Sequence, residues 1–546
     1  MINQLWIGFS GISTAQKAIT TLGQNVTNAT VPSYSRRNPL IKTSTINSGV
    51  EYARDLYVDD DLLRSRYEVI NSQRKYHEVL QQYVTQLEEA ITNNDLLSGI
   101  NDFYNLITRV QFDHSYTAEL ISKLNQLTVN SNRIMQIISD IRQNIRQQIH
   151  LLVNEYNQKI KTIADAITYE EYYNNNTVRD LINDSLYYLS DIIDFRIGDR
   201  HLSPRLLASD GLPLLLGIQT YELTIDYVDD DIQIRNNLGN YHFNYGKLGA
   251  LIYLYNSYIP NVMNNINHII SDFIRNINHV QATGLSQTGS FNTLISTISV
   301  SDIYSPLSTQ SLPMPITSGH LTISVTDTST NTRTNYTIFV DPNIHSLQNI
   351  ATSLSSIPGI TATADPTTGL LTINAYSGYK FDFAGRDTEP PTGTSVSEPD
   401  TAGILSALGI NPVLLGYDAQ TIALNPELIN RSSLLSLSKN SVSGNYDNLL
   451  RFLQTKDKSY FTNENMLNEL SKLYGNIGLS INSYAYQYDL LVKQHNDIVD
   501  SLQNTAGVDT NEQFIHILAF QKLLDASSRY VSVVNKLYDT IIAIID

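Results

Sequence analysis

Two histidines on one predicted helix and two short acidic runs are the residues whose types and spacing could serve metal chemistry. His268 and His279 share a helical face, but the rise between them is roughly 16 Å, too far for one metal ion. The acidic runs 59–61 and 229–231 lack the spaced ligands and the glycine of a calcium loop. We interpret the histidines as surface or core residues and the runs as solvated turns.

The sequence contains none of the common catalytic motifs. It has no His-Glu-x-x-His, no Gly-x-Ser-x-Gly and no phosphate-binding glycine loop. It also has no cysteine, which excludes disulfides, thiolate metal sites and cysteine nucleophiles. We therefore expect the protein not to be an enzyme and to need no cofactor or metal.

Charge and hydropathy narrow the possible partners. A formal net charge of −17 opposes the phosphate backbone of nucleic acids, and no Lys/Arg cluster offsets it. The sequence has no run of about eighteen apolar residues, so a membrane-spanning helix is not expected. The first basic residue is Lys17, and polar residues interrupt the first 22 positions, so a classical signal peptide is not expected. The chain should stay in the cytoplasm or leave by another export route.

Each end of the chain carries an apolar stripe in heptad register, the pattern of a helix that packs in a coiled coil. The N-terminal stripe combines Leu5, Ile12, Ile19 and Val26 with Gly8, Ala15, Leu22 and Ala29. The C-terminal stripe combines Ile517, Leu524, Val531, Tyr538 and Ile545 with Phe520, Ser527, Val534 and Ile541.

Neither stripe can stabilise a solitary helix. Burying a large apolar side chain contributes roughly 1.5–3 kcal/mol, whereas ordering the backbone costs about 1–2 kcal/mol per residue. The small residues Gly8, Ala15 and Ser527 reduce the buried area further but permit close approach of another helix. We predict that neighbouring copies complete both ends; the alternative is that both stripes lie in one ordinary helical core.

Proline and glycine mark the ends of predicted helices. Pro32 ends the first stripe, and an extended loop follows over residues 32–37. Further long helices are predicted over residues 62–94, 116–167, 248–282 and 466–499. Gly507 is a natural stop, and Thr510 with Gln513 predicts a capping box at the start of the last helix.

Strand patterns interrupt the helices. Apolar alternation predicts strands within residues 221–228, 232–234, 321–325, 336–340 and 371–373. A turn is predicted at residues 365–369, and the Pro- and Gly-containing stretch 385–400 should be a mobile surface loop.

These patterns predict an α+β multidomain fold, in which a long helical bundle or coiled coil is built from both chain ends and carries inserted β-rich domains. The expected regions are a terminal assembly region (1–60 plus 505–546), a helical rod (61–195 plus 431–504), a β segment with a return helix (196–300) and a variable β-rich insertion (301–430).

The terminal residues resemble the bacterial flagellar axial proteins. Residues 10–16 are similar to that family's Ser-Gly-x-x-x-Ala-Gln start, 24–28 to its Asn-Asn-Ile-Ala-Asn centre, and 32–36 to its Pro-Gly-Tyr-Ser-Arg end. Gln24, Ser33 and Thr510 depart from the usual residues. Segments 246–251 and 507–539 resemble the hook-associated proteins of the hook–filament junction, and 319–383 resembles a small insertion of flagellin and hook-associated proteins.

The resemblance implies a structural subunit of the flagellum, which forms the junction ring between hook and filament. Such a subunit is exported unfolded by the flagellar type III apparatus and polymerises outside the cell through its terminal helices. The implied partners are further copies of the chain, the hook protein, the second junction protein adjoining the filament, and a cytoplasmic export chaperone. The alternatives are another axial subunit, of hook or filament, or an exported adhesin or enzyme whose active part is the insertion.

The residues expected at contacts between subunits come from both ends of the chain. The N-terminal set is Leu5, Ile12, Ile19, Leu22, Val26, Tyr34 and Arg36. The C-terminal set is Ile517, Phe520, Leu524, Val531, Val534, Tyr538, Ile541 and Ile545. Tyr34 and Arg36 could anchor a neighbouring subunit; the alternative is a loop packed on its own domain.

Overall fold

A computed structural model describes residues 2–31, 34–44, 49–173, 177–198, 205–385, 396, 398–439, 446–459 and 464–545. Along the chain, long helices near both ends flank a middle region of mixed helices and strands. The helices are α1 (Ile2–Thr27), α2 (Asp61–Asn93), α3 (Leu96–Phe112), α4 (Thr117–Tyr173), α5 (Thr177–Ile192), α6 (Gly246–Tyr253), α7 (Ile259–Ala282), α8 (Leu347–Ser355), α9 (Ile404–Ala407), α10 (Pro426–Asn430), α11 (Asp447–Gln454), α12 (Met466–Ala506) and α13 (Thr510–Ile545).

The strands are short and form several small antiparallel sheets. They are β1 (Arg37–Thr43), β2 (Val50–Tyr57), β3 (Phe195–Ile197), β4 (Arg205–Ala208), β5 (Pro213–Leu216), β6 (Gln219–Thr220), β7 (Thr224–Val228), β8 (Asp231–Asn236), β9 (Gly239–Tyr241), β10 (Thr293–Ile295), β11 (Gly319–Asp327), β12 (Thr332–Val340), β13 (Ile360–Ala364), β14 (Leu371–Ala375), β15 (Tyr379–Asp382), β16 (Leu414–Leu415) and β17 (Ala423–Leu424). The α+β multidomain prediction is confirmed.

The long helices lie where apolar periodicity predicts them. The helix predicted at 248–282 is a continuous helical run, but a wider π-helical turn at Leu254–Tyr258 separates α6 from α7. This turn ends two residues before Pro260, whose ring and missing N–H disturb the regular hydrogen-bond ladder. Helix α3 was not predicted; Asp95 caps it by accepting a hydrogen bond from the backbone N–H of Ser98.

The chain forms two compact units. Unit 1 comprises Met1–Tyr83, Asn144–Ser257 and Ser480–Asp546, and unit 2 comprises Val84–Gln143 and Tyr258–Leu479. The unit boundaries fall within helices α2, α4 and α12 and within the π-helical turn between α6 and α7. The four-region division made from the sequence stays a prediction.

In unit 1, α12 runs antiparallel to α2. The ring of Tyr67 lies 4.8 Å from that of His495, and the ring of His77 lies 6.1 Å from that of Tyr484. Sheets β3–β6 and β7–β9 belong to the same unit, where Asn157 of α4 bonds both backbone groups of Leu223 just before β7.

In unit 2, α7 is the central helix. Every residue from Ile269 to Ala282 is buried. Sheets β12-β11-β15 and β10-β14-β13 pack with α8 around a core that includes Ile323, Leu354 and Phe381. The predicted turn at 365–369 joins β13 to β14. A Cβ at Gly369 would lie 2.1 Å from the carbonyl oxygen of Val300, so only glycine fits.

Most of the predicted mobile loop 385–400 lies outside the described residues, as do Pro32 and Ser33 of the N-terminal motif.

Candidate assembly interface

Helices α1 and α13 pack against each other in unit 1. A Cβ added at Gly8 would lie 2.4 Å from Cγ2 of Val531, and one added at Gly11 would lie 2.4 Å from Oγ of Ser527. Residue numbers rise along α1 as they fall along α13, so the helices are antiparallel. Each terminal stripe thus has the other as its partner within one chain, and contacts with neighbouring copies stay a prediction.

On α13, the heptad positions identified from the sequence are those turned towards α1. Val534 is 3% and Val531 9% exposed. Gln513, in the first turn of α13, is also buried. Half-buried members of the predicted stripe are Ile517, Phe520, Leu524, Tyr538 and Ile541. The side chain of Ile545 lies outside the described residues.

On α1, the contact is rotated relative to the predicted stripe. Its most buried line consists of Gly8, Gly11, Ala15, Ala18, Leu22 and Asn25. The branched residues expected at the centre are only half-buried, namely Leu5, Ile12, Ile19 and Val26. Small residues occupy the centre because they let the two backbones approach closely, and the larger residues flank the contact.

A β-hairpin formed by β1 and β2 also packs against α1. Thr14 donates to the carbonyl oxygen of Val50 at 3.3 Å, and Thr21 donates to Oδ1 of Asp55 at 3.0 Å. The ammonium of Lys17 lies 5.7 Å from the centre of the Tyr52 ring. The sequence predicted only an extended loop near this hairpin, because neither strand alternates clearly between apolar and polar residues.

A buried amide joins α1, α13 and the start of β1. The side-chain N–H groups of Asn25 donate to the carbonyl oxygen of Arg37 and to Oε1 of Gln513, both at 2.8 Å. Its Oδ1 accepts from the hydroxyl of Tyr34 at 2.8 Å and from the N–H of Arg37 at 3.0 Å. Asn25 is fully buried and uses all four of its hydrogen-bonding positions. We call Asn25, Tyr34, Gln513 and the Arg37 backbone the Asn25 cluster.

Tyr34 thus serves its own domain, as the alternative interpretation proposed. It is 8% exposed, and burial raises the pKa of its hydroxyl to about 12 despite the nearby Arg37. Arg36 is half-buried; its backbone N–H donates to the carbonyl oxygen of Ala506 at 3.1 Å, and its guanidinium lies 3.3 Å from Glu512. A contact of either residue with a neighbouring subunit stays a prediction.

Two buried ion pairs fix the region beside the Asn25 cluster. The guanidinium of Arg37 bonds Asp180 of α5, and that of Arg64 bonds Asp59 at the start of α2. Arg64 also donates to Oγ of Ser35 at 2.8 Å and to the hydroxyl of Tyr187 at 2.6 Å. These contacts tie the loop after α1 to α2 and α5 within unit 1.

The cap of α13 differs from its prediction. Oδ1 of Asp509 accepts from the backbone N–H groups of Asn511 and Glu512, so Asp509 is the capping residue. Thr510 is the first helical residue, and the side chain of Gln513 bonds Asn25 instead of closing a capping box. The helix start was correctly located, but tertiary contact determined how Gln513 is used.

A second apolar stripe on α13 faces solvent. Leu523, Tyr530, Leu537 and Ile544 recur every seven residues and are 37–77% exposed. Val533 and Leu518 lie nearby and are also exposed. This second heptad series was not predicted, because the heptad pattern of the helix was interpreted as a single stripe.

An apolar groove lies on the exposed side of α1, along β2. Trp6 and Phe9 are each about half exposed and line it with Leu5, Ile12 and Tyr52. Lys17 and Glu51 also line the groove. The terminal pair therefore exposes apolar surface on both of its helices.

The residues considered for metal chemistry have other contacts. Nε2 of His279 lies 2.7 Å from Oε1 of Glu398 in unit 2. Asp60 caps α2, and the positive φ angles of Asp229 and Asp230 shape the β7–β8 turn. Asp59 differs from the predicted solvated turn, because it is buried in its ion pair. Among the described residues, no group of three His, Asp or Glu could hold a metal ion.

No helix in the described ranges combines the length and the apolar character needed to cross a bilayer.

Comparison with known proteins gives a family match and likenesses to solved structures. Residues 82–295 match the model of the flagellar hook-associated protein FlgK helical domain. The flagellar hook junction protein FlgK from Burkholderia pseudomallei has 11% sequence identity and a TM-score of 0.49, and the likeness covers 81% of this chain and all of that one. No curated protein matches the sequence. Residues 82–295 are thus similar to the helical domain of the flagellar hook-associated FlgK family.

Proposed function

We propose that this protein is a structural subunit of the bacterial flagellum that forms the junction ring between hook and filament. The observation that carries the proposal is the match of residues 82–295 to the FlgK helical domain. The resemblance of both termini to flagellar axial proteins supports the same role. The protein acts as a building block and not as an enzyme.

Polymerisation through the terminal helices is supported by the surfaces that remain exposed after α1 and α13 pair. The second stripe of α13 includes Leu537, 53% exposed, and the groove of α1 includes Trp6, 55% exposed. Two different apolar surfaces on one subunit suit head-to-tail contacts, which close into a ring when the rotation between copies permits. We assign the second α13 stripe and the α1 groove to contacts between copies.

The remaining elements of the proposal follow from the resemblance. The subunit leaves the cytoplasm unfolded through the flagellar type III apparatus, after an export chaperone has bound it. It then functions outside the cell, where it contacts the hook protein on one side and the second junction protein on the other.

The test is complementation of source-bacterium cells that lack this chain. We expect such cells to carry bare hooks and to shed flagellin, and wild-type protein to restore filaments. Val533→Asp/Leu537→Asp should fail to restore them, because two carboxylates would be placed in an apolar contact. Filaments can be counted by electron microscopy.

A matched control distinguishes the loss of an apolar contact from the effect of added negative charge. Ser532→Asp/Asn535→Asp adds the same two charges at exposed polar positions of the same helix. It should restore filaments, and both variants should keep the wild-type circular dichroism spectrum. Normal filaments on cells that lack the chain would contradict the proposed function. Restoration by Val533→Asp/Leu537→Asp would contradict only the assigned contact.

A further inference from the structure

We propose that the hydrogen bond between Asn25 and Gln513 determines the register in which α1 packs on α13. The proposal concerns pairing within one chain and does not depend on the proposed function. A coiled-coil pair can slide by one heptad without exposing its apolar stripe, so something other than hydrophobicity must select one alignment.

The apolar contacts alone discriminate poorly between alignments. Leu524, Val531 and Tyr538 occupy equivalent heptad positions of α13. Sliding α13 by seven residues replaces one of them by another opposite the same part of α1. The change in buried apolar area is therefore small, and it can be absorbed by the half-buried flanking residues.

The contact between small residues discriminates more strongly between alignments of the two helices, but it also tolerates a shift of α13 along α1. Gly11 faces Ser527 in the observed register. A seven-residue slide would place Gly11 opposite Phe520 or Val534. Since glycine has no side chain, it leaves room for a larger partner, at the cost of a wider spacing of the helices.

The Asn25 cluster does not tolerate a shift. Gln513 is the α13 side chain that bonds Asn25, and the slide that brings Val534 opposite Gly11 would place Phe520 opposite this amide. Asn25 stays tied to Arg37 and Tyr34, so it cannot follow α13. One N–H group would then be buried without a partner, which should reduce the population of a slipped register by about tenfold or more.

The absence of cysteine from the chain permits a direct test in the intact chain. A Cβ at Gly11 lies 3.2 Å from Cβ of Ser527, slightly below the usual disulfide spacing of about 3.5–4.5 Å. Gly11→Cys/Ser527→Cys therefore reports the observed register. Gly11→Cys/Phe520→Cys and Gly11→Cys/Val534→Cys report the two slipped registers.

With Gln513 intact, mild oxidation should produce the disulfide of the observed register and at most traces of the other two. Adding Gln513→Leu should raise the yield of at least one slipped disulfide about tenfold. Gln513→Glu retains an acceptor for the Asn25 N–H and should keep the wild-type pattern. Gln521→Leu makes the same side-chain change at an exposed position of α13 and should do likewise.

Circular dichroism of each variant distinguishes slippage from unfolding. If Gln513→Leu loses its helical signal, Gln513→Ala is measured with the same cysteine pairs and by the same criterion. An unchanged disulfide pattern after removal of the Gln513 amide would overturn the proposal. Slipped disulfides in Gln513→Glu or in the Gln521→Leu control would also overturn it, because the pattern would then not depend on this hydrogen bond.

Discussion

The side-chain nitrogen of Asn25 donates to Oε1 of Gln513 at 2.8 Å, across a sequence separation of 488 residues. Both side chains are buried, Asn25 completely and Gln513 to 2% exposure. The two ends of the chain therefore meet through a specific polar contact as well as through apolar stripes. This contact lies where α1, α13 and the first strand of the hairpin converge.

The close approach of the terminal helices should depend on Gly8. In Gly8→Leu, the added side chain would overlap Val531, so we expect the terminal pair to lose about 1–3 kcal/mol of stability. Limited proteolysis should then cleave α1 and α13 faster than in wild type. Equal cleavage rates would show that the helices can separate at no cost.

Gly23 provides the matched control for that substitution. It lies in the same helix, and a Cβ there would meet no atom within 4 Å. Gly23→Ala should therefore stabilise α1 by about 0.5–1 kcal/mol, because alanine loses less conformational entropy in a helix. The readout is again the rate of proteolysis, which should fall.

The Arg37–Asp180 ion pair should be costly to break from one side. The Arg37 side chain is 4% and that of Asp180 19% exposed, so Arg37→Met would leave a largely buried carboxylate without its guanidinium partner. We expect a loss of about 3–5 kcal/mol in the free energy of unfolding, measured with urea. The double variant Arg37→Met/Asp180→Leu should recover part of this loss, since no uncompensated charge remains. A double variant less stable than Arg37→Met would contradict this explanation.

Glu398 should make unit 2 sensitive to acid. Burial would raise the pKa of its carboxyl, but the hydrogen bond from His279 and the charges of His279 and Arg451 outweigh it and lower the pKa from 4.5 to about 2. A depressed carboxyl pKa stabilises the folded state above the unfolded-state value, and this stabilisation is lost as the pH falls from about 4.5 towards 2.

The measurement is the unfolding temperature of wild type and Glu398→Gln as a function of pH. The wild type should be more stable at neutral pH, and the difference between the two should shrink as the pH falls through that window. If the difference in unfolding temperature between wild type and Glu398→Gln stays constant from neutral pH to pH 2, Glu398 is not the source of the acid sensitivity.

Trp6 is the single tryptophan of the chain and should report assembly. It is 55% exposed in the α1 groove, so its fluorescence in a dilute monomer should be that of a largely hydrated indole. Self-association through the groove should shift the emission to shorter wavelength as the protein concentration rises. Val533→Asp/Leu537→Asp should abolish the concentration dependence. A shift that persists in this variant would place the α13 stripe outside the contact.

Local patterns in the sequence were sufficient to predict much of the fold. The apolar periodicity of α2, α4 and α12 and the alternation in β11, β12 and β14 are properties of neighbouring residues, and the structure confirms them. The turn around Gly369 was predicted for the same reason, because its conformation is encoded within a few residues. The heptad spacing likewise identified the face of α13 that contacts α1.

The sequence by itself thus determined the long helices, five of the strands in the middle of the chain and the apolar stripe of α13, because side-chain periodicity specifies which face of an element can be buried. Only the tertiary structure decided that small residues form the centre of the α1 surface that contacts α13, that Gln513 bonds Asn25, and that Arg37 pairs with Asp180. The physical reason is that close packing and buried hydrogen bonds depend on which distant residues meet, and no local spacing encodes that partner.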